Sequence, residues 1–256
     1  MKTLDIIIHE QKEFIEQCIF KTKRFINSLK LDNIAVILLS GSVSRGDYMP
    51  GKYGGMIDLT VMMIKGSKLS ALDILGKDEE PDIPYHCVSY LGQGFQIAFH
   101  ELFDVSDFNN FDESKKNALL ESKVIYQQNN VYTSLLDNIT IDLQKKLEKE
   151  KNKGIGYINY LLSGYKKDRW ISRNAYPQLH SNLNKAIEIG IKCLFYNNGK
   201  YAPAEDRILY YSYSLPKINS SYEKIVRGLF KQDIMSFDDY KRREEIFFKL
   251  FLPMLV

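Results

Sequence analysis

The chain has 256 residues, of which 45% are hydrophobic and 26% charged, with a formal net charge of +3. That is enough apolar content for one large domain or two small ones, and it excludes a disordered tail, a collagen-like repeat and a disulfide scaffold. Three scattered cysteines, Cys18, Cys87 and Cys193, form no CxxC pair, so neither a thiolate zinc site nor a disulfide framework is expected, and a reduced, cytoplasmic setting is the natural expectation.

The opening segment, Met1 to Asp5 followed by three isoleucines, does not predict a secretory leader. Residues 10–30 predict an amphipathic helix, with Phe14, Ile15, Cys18, Ile19, Phe25, Ile26 and Leu29 at helical spacing. Ile34 to Leu39 is a short continuous apolar run that predicts a buried strand and is far too short to span a bilayer, so no membrane partner is expected. A loop rich in glycine and proline follows (Gly46, Pro50, Gly51, Gly54, Gly55), and then a second buried strand over 57–63 in which Asp58 is the sole charge. Residues 74–82 predict an exposed acidic connection, and 83–91 with 95–99 predict a strand pair around Gly92-Gln93-Gly94. A short helix over 113–121 and a short strand at 124–126 complete this half.

Gln127 to Asn130 has no apolar period and predicts a domain boundary, giving units 1–130 and 131–256. Charge divides there too: the first half carries 14 basic and 18 acidic side chains, the second 21 and 14. A basic second half would attract a polyphosphate or a nucleic acid, or simply present a solvated lysine-rich surface. Its pattern is helical throughout, with helices expected over 131–150, 153–171, 178–197, 205–213, 220–232 and 237–252, and a stop at Asn197-Asn198-Gly199. The fold class is therefore α+β: a mixed β-sheet with flanking helices, followed by an α-helical bundle.

The chemistry-bearing element is strand, Gly41-Ser42, loop, then strand 57–63. A glycine at a strand end lets a phosphate approach the backbone, where the Ser42 hydroxyl and the N–H groups of the turn can donate to it. Arg45 adds a cation, and a carboxylate on the neighbouring strand, Asp58, can hold a divalent ion against the same phosphates. Leu39-Ser40-Gly41-Ser42-Val43-Ser44-Arg45-Gly46-Asp47 resembles the opening motif of the nucleotidyltransferase superfamily, and Ile57-Asp58-Leu59-Thr60-Val61 resembles its metal-binding strand. Leu194 to Pro203, Asp206-Arg207-Ile208-Leu209 and Leu215-Pro216 are similar to segments of the helical domain attached to aminoglycoside and lincosamide nucleotidyltransferases, so the resemblance covers roughly residues 34–216. It implies magnesium, a nucleoside triphosphate as substrate with its base left open, and transfer of a nucleoside monophosphate to a hydroxyl of a small molecule. Gly41, Ser42 and Arg45 would bind the nucleotide, and Asp58 would be the catalytic and metal-binding carboxylate.

The match also departs from the family at the carboxylates. Where the family has Asp–apolar–Asp, the strand places Asp58 at the second position and Met56 at the first; a shifted frame makes Asp58 the first and Thr60 the second. The third carboxylate falls on the strand Phe95 to Phe99, where Gln96 replaces it, with Glu101 and Asp104 further on. One carboxylate where three are expected weakens a two-metal site, since methionine is soft and uncharged. Besides the transferase, the residues therefore fit an inactive module that binds a nucleotide or a partner.

Other readings compete at single positions. Asp58 also fits a structural role, capping the Gly41 turn or pairing with Arg45, and Ser42 a helix N-cap. Asp47 is expected on the solvent side of its loop, and Lys185 and Glu188 as an exposed pair one helical turn apart. His9, His86 and His100 have no metal-ligand spacing. Arg173 and His180 resemble the Arg–His motif of HEPN ribonucleases, which implies an RNA-cleaving helical domain, although Pro177 is expected to break the helix between them. The tyrosine-rich tracts Tyr157–Tyr165 and Tyr210–Tyr213 suit either stacking on a ring or packing at an interface.

Overall fold

The computed structural model describes residues 2–48, 55–67, 71–75 and 85–255. Pro50, Gly51 and Gly54 of the expected loop, and Asp78 to Asp82 of the expected acidic connection, lie outside the described residues. The chain divides into two compact units, Met1–Ile141 and Asp142–Val256. The first is a five-stranded mixed sheet with helices, the second is helical, and no described helix is long and apolar enough to cross a membrane.

The first unit begins with α1 (Leu4–Glu10), which the apolar period does not predict, and α2 (Lys12–Ile26), which corresponds to the helix expected over 10–30 but ends four residues earlier. Then come β1 (Ile34–Leu39), α3 (Gly41–Arg45), β2 (Ile57–Met63), α4 (Ala71–Leu75), β3 (His86–Tyr90) and β4 (Gln93–Glu101). After them follow α5 (Val105–Asn110), α6 (Glu113–Glu121), β5 (Lys123–Gln127) and α7 (Val131–Thr140). The sheet order is β3-β4-β2-β1-β5, with β2 and β4 parallel and the other pairs antiparallel. All six residues of β1 are buried, which is why it reads as an unbroken apolar run.

Strand parity separates core from site. Ile57, Leu59 and Val61 point to the face covered by α2, where they join Ile15, Cys18, Phe25 and Ile26. Phe25 stacks on Phe95 there, with centroids 4.5 Å apart. Asp58 and Thr60 lie on the opposite face. That face is flanked by an aromatic cluster in which Phe103 meets Phe108, Phe111 and Tyr132. Two aspartates fix the helix starts nearby: Asp104 and Asp107 form a reciprocal capping box on α5, and Asp112 Oδ1 accepts from Lys115 N at 2.8 Å on α6.

Two expectations shift locally. The β3–β4 hairpin turns on Leu91-Gly92, at φ 48° and 72°, and Gln93 is already in β4. Two successive left-handed residues match the twist of a two-residue hairpin, so Leu91 takes a φ that an L side chain rarely adopts. The expected helix 131–150 is interrupted after Thr140, whose hydroxyl turns back to Leu136 O and Asp137 O. The division between units accordingly falls after α7, not before it.

The second unit holds α8 (Leu143–Leu161), α9 (Gly164–Ile171), α10 (Tyr176–Asn197), α11 (Glu205–Ser212), α12 (Tyr222–Phe230) and α13 (Phe237–Ile246). A π-turn over Phe247–Phe251 and a 3₁₀ turn over Leu252–Met254 continue the last helix. The centre is α10, which buries Leu179, Leu183, Ala186, Ile187, Ile191 and Leu194 along one stripe. A methyl group at Gly154 of α8 would stand 2.8 Å from Cys193 Sγ of α10, so glycine permits their close approach. Pro177 does not break a helix; it occupies the first turn of α10, where its missing N–H costs nothing.

Candidate functional site

The Gly41 turn and Asp58 form one constellation. Ser40 N donates to Asp58 O at 2.9 Å, extending the β1–β2 ladder past the end of β1. Gly41 follows with φ +64°, and a methyl group placed on it would overlap Asp58 Oδ2 and stand 2.8 Å from Asp58 Cγ. Glycine is therefore required twice, for its backbone conformation and for the carboxylate lying against its Cα. The space that phosphate approach would use in the sequence reading is here shared with the Asp58 carboxylate. The α3 turn closes when Gly46 N and Asp47 N both donate to Ser42 O, at 2.9 and 3.0 Å. Ser44 Oγ then ties the turn to Glu121 O at 2.7 Å.

Ser40 is the N-cap of α3, yet its hydroxyl makes no capping bond. It is engaged elsewhere, 3.0 Å from Thr60 Oγ1 and 3.1 Å from Ser122 Oγ. The first amides of α3 thus have no side-chain cap from Ser40, and Ser42 remains half-buried beside them.

Arg45 is less openly displayed than its sequence position suggests. Its Nε lies 3.3 Å from Asp47 Oδ1, with the two side chains only 12% and 10% exposed. Asp47 is accordingly turned into the protein, correcting its expected place on the solvent side. The residue after Asp47, Tyr48, is buried against Phe14, and its ring abuts Gly55. Burial, and then the charges of Cys18 and Asp58, push the Tyr48 hydroxyl above its ordinary pKa, opposed by its hydrogen bond with Gln93.

The strand register decides how the carboxylate positions compare. Asp58 of β2 is paired with Gln96 of β4, so a neutral amide stands beside the carboxylate. Met56 precedes β2 and packs over Gly94, whose added methyl would meet Met56 Cε and Cγ at 3.4 Å. No cluster of three or more His, Cys, Asp or Glu side chains occurs among the described residues. One carboxylate and one amide oxygen suit a single magnesium ion that takes its remaining oxygens from a triphosphate and water. They do not suit a pair of metal ions, which needs more anionic oxygens.

The helical unit treats its candidates differently. His180 is buried, with Nε2 3.0 Å from Ser236 O and Nδ1 2.6 Å from Arg243 Nη1. A guanidinium only donates and a carbonyl only accepts, so Nδ1 is the acceptor and Nε2 carries the proton. Both ring nitrogens are spent on structure, which leaves no lone pair for the proton transfer the ribonuclease reading needs. Arg173 is exposed and lies over the Trp170 ring. Lys185 and Glu188 are both exposed on α10, with Lys185 Nζ 5.8 Å from the Tyr157 ring.

Sequence reasoning missed Arg243. It is fully buried, donates to Leu229 O at 2.6 Å, and also donates to Asn184 Oδ1. Burial pushes its pKa down from the ordinary arginine value. The available signal was phase: Tyr240, Arg243, Phe247 and Phe251 share the buried face of the last helix and its π-turn, so the arginine sits at a core position inside a charged run. No family model and no curated protein matches the chain, and the likeness to nucleotidyltransferases rests on the motif residues themselves.

Proposed function

We propose that the first unit is a nucleotidyltransferase-like domain that binds a nucleoside triphosphate with one magnesium ion and is deficient in two-metal transfer. The observation that carries this reading is the in-register pairing of Asp58 with Gln96, with the Asp58 carboxylate against Gly41. Magnesium, when bound with the triphosphate, would neutralise phosphate charge. Asp58 would hold the metal, and the α3 turn at Ser42, with Arg45 behind it, would offer donors to the phosphates. The Arg45–Asp47 pair tempers the positive charge there, which favours a metal-bound nucleotide over a bare polyanion.

Titration calorimetry of ATP and GTP into the full chain, with and without magnesium, tests the proposal. Binding that requires magnesium and is lost in Asp58→Ala is expected, without pyrophosphate release in the presence of hydroxyl acceptors. Magnesium-independent binding, or none, refutes it. Magnesium-dependent pyrophosphate release that Asp58→Ala abolishes would instead establish the transferase reading, with a small-molecule acceptor.

A further inference from the structure

The sheet face opposite α2 carries a cavity of about 470 Å³, bounded by the sheet and by α6. That size lies in the range of small-molecule sites. Its apolar lining comes from Met62 and Ala98 of the sheet, Leu119 of α6, and the rings of Phe103 and Phe111. Its polar lining includes three linked hydroxyls, Ser40, Thr60 and Ser122, together with Tyr85, His100, Glu101 and Lys115. Asp58, Gly41 and Arg45 are not among the lining residues, so the inference stands apart from the nucleotide reading.

The protons of these hydroxyls can be counted. Ser122 Oγ donates to Ala118 O at 2.7 Å, which uses its proton. The 3.1 Å contact between Ser40 and Ser122 must then be donated by Ser40. The 3.0 Å contact between Ser40 and Thr60 must in turn be donated by Thr60. The chain runs Thr60 to Ser40 to Ser122 to Ala118 O, and every hydroxyl proton is consumed within the protein. What the chain can still offer a ligand is lone pairs.

A ligand that brings another acceptor meets those lone pairs with its own. A purely apolar ligand leaves them unpaired in a low-dielectric site, which is costly. A ligand that brings a donor satisfies them. The charges at the cavity favour no strong anion or cation, because Lys115 and Glu101 both line it. Lys115 Nζ already lies 3.9 Å from the Phe111 ring centroid, and Glu101 Oε1 accepts from Gly66 N at 3.3 Å. Partial burial, then the Lys115 ammonium, hold His100 below its ordinary pKa, so it adds no second cation at neutral pH.

We propose that this cavity is a binding site for a planar aromatic molecule carrying an N–H or O–H donor, seated with the donor on the Thr60–Ser40 oxygens. The aromatic body packs between the sheet face and the Phe103 and Phe111 rings, where ring contacts add to area burial.

Indole and benzofuran share a shape and differ by an N–H against a ring oxygen, so they probe the proposal directly. Both are titrated into the full chain by saturation-transfer NMR. Indole is expected to bind about fivefold tighter than benzofuran, the difference one net hydrogen bond makes. The double variant Ser40→Ala/Thr60→Val, which removes both oxygens, is expected to abolish that preference while leaving benzofuran unchanged. Ala118→Phe is expected to abolish binding of both by filling the cavity. Equal affinities in the wild-type chain, binding of neither probe, or indole binding undiminished in Ala118→Phe overturns the proposal, and the first two outcomes require no variant to fold.

Discussion

Replacing Gly41 by alanine tests the geometry on which the candidate site rests. Two costs arise. The backbone at φ +64° would have to hold an L residue in the left-handed region, at about 1–2 kcal/mol, of which reduced unfolded-state entropy returns about half. The new methyl also overlaps Asp58 Oδ2, and the carboxylate has to move within a packed site, at a cost of about 1–3 kcal/mol. The sum is a loss of roughly 2–4 kcal/mol. The two parts are separable, because only the second depends on the Asp58 carboxylate. In an Asp58→Ala background the overlapping oxygen and Cγ are gone and only the Cβ contact at 3.1 Å remains. The cost of Gly41→Ala should then fall to about 1 kcal/mol, giving a coupling between the positions of about 1–3 kcal/mol. Native-state hydrogen exchange read by mass spectrometry on peptides spanning β1 and β2 measures the opening energy of this unit by itself. Equal costs in the two backgrounds would refute the close approach, and with it the placement of the carboxylate on the turn.

Two further predictions concern the helical unit, whose unfolding the single tryptophan, Trp170, reports by fluorescence. Arg243→Leu strips the donors from His180 Nδ1, Leu229 O and Asn184 Oδ1 and leaves the first two unpaired in the interior, with Asn184 half-buried beside them. A loss of about 3–5 kcal/mol is expected, and a denaturation midpoint within error of wild type would show that the network contributes nothing. Asp239 accepts from Asp233 N at 2.9 Å and pairs with Arg242 at 2.8 Å. Although burial raises its pKa, the Asp233 N–H and the Arg242 guanidinium outweigh that and hold it below the ordinary carboxylate range. A depressed carboxylate stabilises the fold above its unfolded-state pKa, near pH 4, and that stabilisation disappears as pH falls through the lower folded value. Asp239→Asn should therefore lower stability at neutral pH and flatten the acid limb of the stability curve; an unchanged acid limb would contradict the assignment.

What the sequence revealed depended on how local the determining physics was. Strands Ile34–Leu39 and Ile57–Met63 and helix Glu113–Glu121 lie where the apolar period and the flanking breakers put them, because burial and capping act over a few residues. The hairpin was displaced because two glycines flank Gln93 and because a glutamine reads as polar; the structure nonetheless buries Gln93 and exposes Leu91 at the turn. The break after Thr140 was hidden because Ile141, 76% exposed, keeps the apolar rhythm going. At the site, Asp58 and Gln96 were both identifiable as strand residues, and only the register makes them neighbours. The Arg45–Asp47 pair and the buried Arg243 were out of reach for the same reason. A charge two residues from its partner reads as solvated, and a charge within a run of charges reads as surface, until packing shows otherwise.

The β2 strand also shows how a sheet can carry a neutral residue beside Asp58 without disturbing its core. Its two faces answer to different requirements. Ile57, Leu59 and Val61 fill the core under α2, and replacing any of them by a small residue would open a cavity costing about 2–4 kcal/mol. Asp58 and Thr60 face away from that core, and the neighbouring positions Met56 and Gln96 sit on the site side of the sheet. Glutamine rather than aspartate beside Asp58 leaves the carboxylate without a like-charged neighbour, so there is no repulsion when no metal is bound. The core under α2 is therefore indifferent to the charge at position 96, and a neutral side chain there spares Asp58 a like-charged neighbour. Restoring acidity at position 96 should act in the opposite sense: Gln96→Asp would bring two carboxylates together across β2 and β4, lower stability in a chelator, and recover it on adding magnesium. If thermal midpoints of Gln96→Asp are the same in chelator and in magnesium, then these two positions do not face a common metal site, and the nucleotidyltransferase-like reading loses its structural basis.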